Sequence, residues 1–266
     1  MSRLITLTSD FGLRDAYVAA MKATILAINP AARLVDISHE ITPHDVMEAA
    51  FVLSQAVPYF PEETIHLVVV DPGVGTERPP VALRHGRRYF VGPDNGLFAL
   101  LLEDHTPDEL VVLNRPAFWR VPQPSTTFHG RDVFAPVAAH LSTGRALHEV
   151  GTPVETLQPL HWALPIDDNQ GIRGWIVHVD HFGNCVTNIP RALFNNRRDR
   201  RPVKCYVGNA ILNEVYPTYG AVDSGEPLLL FGSNNFLEIA VNSGNASDLL
   251  DIRRGTPVNV VFIEER

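Results

Sequence analysis

Four polar clusters in this chain set carboxylates, an arginine or a histidine beside glycines, in positions where side chains are free to meet a ligand. The most informative is Val68-Val69-Val70-Asp71-Pro72-Gly73-Val74-Gly75-Thr76-Glu77-Arg78. Here an apolar strand ends in a carboxylate, and the turn that follows lifts side chains into the crevice where α/β proteins bind ligands. Its glycines let the backbone pass close to a ligand, because no Cβ stands in the way. Asp71 and Arg78, on either side of the turn, can converge on one small reactant. The plainer alternative is a strand-terminating turn with a surface ion pair. Thr127-Phe128-His129-Gly130-Arg131-Asp132 offers a histidine at a helix entrance, as a proton donor or acceptor or simply as a cap.

The two remaining clusters suit binding more than reaction. Ser9-Asp10-Phe11-Gly12 follows the opening strand, where a carboxylate can accept ribose hydroxyls or cap a helix. Val179-Asp180-His181-Phe182-Gly183-Asn184, with Ser233-Asn234-Asn235-Phe236 and Asn242-Ser243-Gly244, suits a polar zwitterion beside a flat ring. The same residues also form β-turns readily. A ligand with a sugar, a base and an amino-acid tail would use all four clusters.

The elements that must carry these clusters change character along the chain. Strand patterns at Leu4 to Thr8, Leu34 to Ile37 and Leu67 to Val70 alternate with helical periodicity over Asp15 to Ile28 and from Thr42 to Ala56. Thr42 suits the N-cap of that second helix and Pro43 its first turn. This βαβαβ order predicts a parallel sheet with helices on its faces. Val81 to Arg84 and Tyr89 to Val91 flank His85-Gly86-Arg87 as an inserted hairpin. Gly96 to Leu102 and Val133 to Leu141 read as helices, and the proline-dotted stretch from Pro153 to Pro165 as a linker. Beyond it come short strands separated by Gly, Asn and Pro, the pattern of a small all-β barrel or sandwich. The expected architecture is α/β: an amino-terminal parallel-sheet catalytic domain over 1–165 and a smaller carboxyl-terminal β-barrel-like substrate-binding domain over 166–266.

Composition narrows the function classes. The chain has 266 residues, enough for one large or two modest domains with real cores, and a net charge of −8. That charge argues against a general nucleic-acid or acidic-membrane partner. The basic run at Arg191, Arg197, Arg198, Arg200, Arg201 and Lys204 lacks interleaved aromatics and reads as a solvated loop. Only Cys185 and Cys205 are present, without zinc spacing or a disulfide framework. The amino end is too polar for a signal peptide, and no apolar run approaches a membrane span, so a cytoplasmic protein is expected.

Read together, Thr8-Ser9-Asp10-Phe11-Gly12, Ile41-Thr42-Pro43-His44-Asp45-Val46, Asp71-Pro72-Gly73-Val74-Gly75-Thr76, Pro93-Asp94-Asn95-Gly96-Leu97, the His129 and Asp180 clusters and Thr187-Asn188-Ile189 form an ordered series over nearly the whole chain. In this series the chain resembles the S-adenosylmethionine hydrolases (hydroxide adenosyltransferases), relatives of the fluorinases and chlorinases. The resemblance implies a homotrimer with sites between neighbouring subunits, and an Asp-Arg-His set handling the attacking water, here Asp71, Arg78 and His129. It puts Asp10 on the ribose, Asp180, Asn184 and Ser233 around the methionine end, Phe182 and Tyr219 on aromatic walls, and Asn242 and Ser243 where main chain meets adenine. Phe128 joins them as a substrate-binding residue. The halogenases carry tyrosines at the positions of Asp71 and His129 and a serine at Gly130, so this chain is not expected to use halide. Where relatives place a tryptophan near the ribose, it has His44.

The implied reaction is attack of water on the ribose C5′ of S-adenosylmethionine, releasing adenosine and methionine. The leaving sulfur is a sulfonium and departs without protonation, so neither metal nor cofactor is required. An Arg within ~4 Å of Asp71 would favour its ionised form by up to roughly 4 kcal/mol, keeping it charged but weakening it as a base. On this reading Asp71 and Arg78 orient the water, and either His129 or Asp71 takes the proton. The rival readings are a calcium-dependent nucleoside hydrolase, which would need more carboxylates than Val74-Gly75-Thr76 supply, and a non-catalytic adenosine or S-adenosylmethionine sensor.

Overall fold

The computed structural model describes residues 3–102, 105–158, 164–168 and 170–263. The chain divides into two compact units, residues 1–160 and 161–266. In the first, strands β1 (Leu4–Ser9), β2 (Arg33–Ser38), β3 (Ile65–Val69), β4 (Pro80–His85), β5 (Arg88–Pro93), β6 (Glu109–Val112) and β7 (Thr152–Pro153) form one sheet in the order β2-β1-β3-β5-β4-β6-β7. The sheet is mixed rather than parallel throughout. β2, β1, β3 and β5 run parallel, and β4, β6 and β7 are added antiparallel. The tight His85-Gly86-Arg87 connection is the reason, since a two-residue hairpin can only reverse the chain. Pro153, read from sequence as the start of a linker, lies in edge strand β7, where a missing N–H costs little. Residues 159–163 of that expected linker lie outside the described residues.

Helices cover both faces. α1 (Tyr17–Ile28) and α4 (Ala135–Ser142) pack with Ile5, Leu7, Leu67 and Val69, while α2 (Val46–Ala56) and α3 (Ala99–Leu102) pack with Val68, Val70 and Leu83. The central parallel strands β1 and β3 are thus buried on both sides, as doubly wound sheets require, while β2 at the edge stays largely exposed. The helix expected from Thr42 starts later. Asp45 is the N-cap and accepts from Glu48 N at 2.8 Å, while Glu48 reaches back to Thr42 N at 2.9 Å. His44, at φ 69°, belongs to the bend before the helix, so Thr42 and Pro43 lie outside it.

The second unit is an antiparallel, barrel-like sheet. β8 (Ile166–Asp168), β9 (Gly171–Val179), β10 (Cys185–Pro190), β11 (Val203–Val207), β12 (Ala210–Leu212), β13 (Pro227–Phe231), β14 (Phe236–Val241) and β15 (Pro257–Phe262) pair in the path β12-β11-β15-β9-β10-β14-β13, with β8 on β9. Alternate residues such as Ile172, Cys185, Cys205, Leu237, Ile239 and Val260 fill its core, the period-two pattern of strands with one buried face. Both cysteines are free, and burial pushes each thiol up to about 12. The basic run is a loop only at Arg200 and Arg201, which lie in the turn before β11. Arg191–Arg198 forms helix α6 (α5 being Leu147–Val150), which buries Phe194 while Arg197 Nε pairs with Asp167 at 2.8 Å. No helix among the described residues is long and apolar enough to cross a membrane.

Candidate active site

Strand β1 lies between β2 and β3, so the chain winds to one side of β1 and then to the other. The crevice beyond the carboxyl ends of β1 and β3 is therefore a topological switch point, the place where open α/β sheets bind ligands. Asp10 directly follows β1, and Asp71 lies two residues beyond β3. Asn95 Nδ2 donates to Val70 O at 3.0 Å and ties the end of this strand to the neighbouring loop. The turn after Asp71 needs its glycine at position 75: φ is +77°, and a Cβ there would stand 2.4 Å from Thr126 O. That close approach brings the Asp71 turn against the loop that carries His129.

A pocket of about 300 Å³ opens here, with Asp10, Asp71, Phe128 and His129 in its wall. Phe11, Tyr17 and Phe128 form a mutually tilted aromatic trio, with ring centroids 5.2–5.7 Å apart. Asp10 Oδ2 accepts from His44 N at 2.9 Å, which fixes its carboxylate at the pocket mouth. Asp132 anchors the His129 loop from behind: Arg120 Nε at 2.6 Å, Arg131 Nε at 2.7 Å and Ser125 N at 2.9 Å all donate to it. Burial raises the Asp132 carboxyl, but these donors outweigh that effect and hold it far below the usual range.

Arg78 stands behind the pocket wall and clamps two of its members. Its Nε donates to Asp71 Oδ1 at 3.0 Å and its Nη2 to Asp71 Oδ2, and the same Nη2 lies 3.3 Å from His129 Nδ1. The Asp71 and Arg78 side chains are only 5% and 7% exposed, so this is a buried pair. Burial pushes the Asp71 carboxyl above its usual value, and the pull of Arg78 does not cancel it. Asp71 is a stronger base than its pairing with Arg78 alone would make it, because desolvation disfavours the ionised carboxylate. Burial, aided by Arg78, lowers the His129 pKa, so the imidazole is neutral at neutral pH. A guanidinium has only donors, so Nδ1 of that neutral ring must be the acceptor and Nε2 carries the proton.

In the second unit, a turn stabilised by Asp180 gathers several of the expected binding residues. Asp180 Oδ1 accepts from Phe182 N and Asn184 N, and Oδ2 from Asn184 Nδ2, each at 2.9 Å. Gly183 closes the turn at φ +83°, where a Cβ would overlap the Asn245 side chain. The Phe182 ring stands out at 73% exposure. Tyr219 donates its hydroxyl to Glu238 Oε1 at 2.7 Å. Asn242 Nδ2 donates to Val222 O at 2.7 Å, Ser243 Oγ lies 3.2 Å from Asn242 Oδ1, and Ser233 is exposed on the turn between β13 and β14.

Sequence reading missed Tyr17 and Val74, which line the pocket, and Glu238, a buried acid beneath Tyr219. Tyr17 opens α1 two residues after Asp15 and carried the signal of a helical residue only. No group of three or more His, Cys, Asp or Glu side chains among the described residues is disposed to hold a metal ion.

A family model described as the SAM hydroxide adenosyltransferase N-terminal domain matches residues 5–151, and one for that family's C-terminal domain matches residues 174–259. A Thermus thermophilus protein named (R)-S-adenosyl-L-methionine hydrolase is 40% identical over 97% of this chain and 100% of its own length. A crystal structure of an uncharacterized conserved protein from Thermotoga maritima matches with a TM-score of 0.89 at 39% identity, covering 96% of this chain and 99% of that one. A fluorinase from Actinoplanes sp. is more distant, at 28% identity over 97% of each chain.

Proposed function

The chain belongs to the SAM hydroxide adenosyltransferase family, and from that premise we propose that it hydrolyses S-adenosyl-L-methionine to adenosine and L-methionine by in-line attack of water at the ribose C5′. The observation that carries this reading is the Asp71–Arg78–His129 clamp at the wall of a pocket on the sheet's switch point. Water is a weak nucleophile, but the sulfonium leaves as a neutral thioether, so catalysis consists of placing the water and removing its proton. Holding the two reactants in line is worth about 7–11 kcal/mol of barrier. Asp71 takes the proton, because burial makes it more basic while its oxygens keep lone pairs beyond those used by Arg78. His129 already spends Nδ1 on Arg78 and offers Nε2–H, which suits it to hold the water rather than deprotonate it. Arg78 serves as the positioning residue for both.

Binding roles follow the same division. Asp10 takes the ribose hydroxyls and Phe128 packs on the nucleoside. Asp180, Asn184 and Ser233 take the methionine end, Phe182 and Tyr219 provide aromatic walls, and Asn242 and Ser243 present main chain to adenine. The family resemblance further supports a homotrimer, and sedimentation equilibrium tests it.

The deciding experiment incubates the protein with S-adenosylmethionine in halide-free and halide-rich buffer, each with and without a chelator, and separates the products by chromatography. Equal release of adenosine and methionine in all four conditions is expected. Tight binding with no adenosine release would replace this reading with a sensor, and loss of activity on chelation would favour a calcium-dependent nucleoside hydrolase.

A further inference from the structure

Glu238 is an unusual residue for its place. It sits in β14 opposite Leu230 of β13 and Val186 of β10, in the interior of the sheet, and is 4% exposed. Its neighbours Leu237 and Ile239 point into the barrel core, so Glu238 projects from the other face with Ala240. That outer face is covered by the segment leading to β13, with Tyr216 and Val222 packed on Leu228, Leu230 and Ala240. Backbone bonds from Tyr216 to Leu229 (2.8 Å) and from Gly225 to Asn242 (2.8 Å) tie the two ends of the segment down. The tether that acts on the Tyr219 ring itself is its hydroxyl bond to Glu238 Oε1, at 2.7 Å. The second carboxyl oxygen of Glu238 lies against Gly232, where a Cβ would stand 2.6 Å from it, on the turn that bears Ser233.

We infer that Glu238 is a positioning residue that fixes substrate specificity: its buried carboxyl locks the Tyr219 ring as a rigid wall for a purine and backs the Ser233 turn. The inference rests on the hydrolase reading for the identity of the substrate, and on geometry for the role. Burying a carboxyl without a cation is costly. The groups acting on the charge of Glu238 are Tyr219 and Asp180, and burial together with the Asp180 charge pushes its pKa up. A well-packed leucine would serve the fold better there, so a purely structural role does not explain the acid. Preorganising an aromatic wall lowers the ordering cost of ligand binding.

The test compares wild type with Tyr219→Phe, Glu238→Leu, Glu238→Gln and the doubles of Tyr219→Phe with each Glu238 variant. It reads kcat and KM for S-adenosylmethionine, adenosine Kd by calorimetry, and melting temperature. Tyr219→Phe and Glu238→Leu should each raise KM and Kd about fivefold or more, as loss of one such hydrogen bond predicts, with a smaller fall in kcat. The doubles should be no worse than the poorer single variant, and Glu238→Gln, which keeps an acceptor oxygen, should recover most of the loss. A wild-type KM and Kd in Glu238→Leu, or losses that multiply in its double with Tyr219→Phe, would overturn the inference. If Glu238→Leu does not fold, Tyr219→Phe decides: a wild-type KM and Kd in that variant would overturn the inference. A wild type without turnover would count against the hydrolase reading alone, since the adenosine Kd values still report on Glu238.

Discussion

Replacing Asp71 by asparagine separates the charge of the carboxylate from its shape, and the structure sets the size of the effect. Asp71 and Arg78 are 5% and 7% exposed and meet through two parallel hydrogen bonds. In Asp71→Asn the amide oxygen can accept one of those N–H groups, but the amide nitrogen faces the other as a second donor. Arg78 becomes a buried cation without a counter-charge. Removing one partner of a buried pair costs about 3–5 kcal/mol, and the surviving hydrogen bond puts this case near the low end. At about 2–4 °C per kcal/mol for a unit of this size, the amino-terminal unit should melt about 6–12 °C lower. Turnover should fall by about 10²–10⁴, the usual share of a general base, with a much smaller change in adenosine Kd. The pH profile adds a signed check. Asp71 must be ionised to act, and burial raises its pKa, so wild-type kcat should decline on the acid side above the usual carboxylate range. That acid limb should vanish in the variant. The assay is steady-state adenosine release from pH 4.5 to 8, run well below the melting point of the variant, beside calorimetric adenosine binding. Turnover within tenfold of wild type would refute the role of Asp71 as base. An unchanged melting temperature would refute the account of the buried pair.

Two further substitutions probe how the site is positioned and how the fold responds to acid. Gly75→Ala places a Cβ 2.4 Å from Thr126 O at a φ of +77°, so the Asp71 turn must retreat from the His129 loop. We expect a fall in kcat of at least tenfold with little loss of secondary structure by circular dichroism, and full activity would show that the contact is dispensable. His66 is fully buried, and desolvation, aided by Arg88, lowers its pKa to about 3. The unfolded chain takes up a proton near pH 6.5 and the native state does not. Stability should therefore be intact above that pH and fall by about 1.4 kcal/mol per unit as pH drops from 6.5 towards 3. His66→Gln removes this titration, so urea unfolding against pH should show a shallower acid slope, and equal slopes in both proteins would count against it.

Much of the site was legible because its signals are local. A strand running into Asp71-Pro72-Gly73, a histidine beside a glycine at a helix entrance, and an Asp-Phe-Gly after β1 each follow from residue type and chain geometry within a few positions. The βαβαβ order placed Asp10 and Asp71 at strand ends for the same reason, since hydrophobic period sets element type. Local signals were weaker where neighbours compete. Thr42 read as the cap residue, and only the bond from Glu48 N to Asp45 Oδ1 shows that Asp45 begins the helix. The arginine run read as loop because its charge masked Phe194, the one buried anchor of α6.

The sequence by itself determined which groups could react, and only the tertiary structure decided how strongly they do. Arg78 meets His129 across 51 residues and Asp71 across seven, and no periodicity encodes that meeting. Burial then reverses the expected sign for Asp71, because desolvation depends on what the whole fold stacks around a side chain rather than on its sequence neighbours. Glu238 makes the same point in the second unit: a glutamate in a strand reads as solvent-facing until a distant segment closes over it and hands it the hydroxyl of Tyr219.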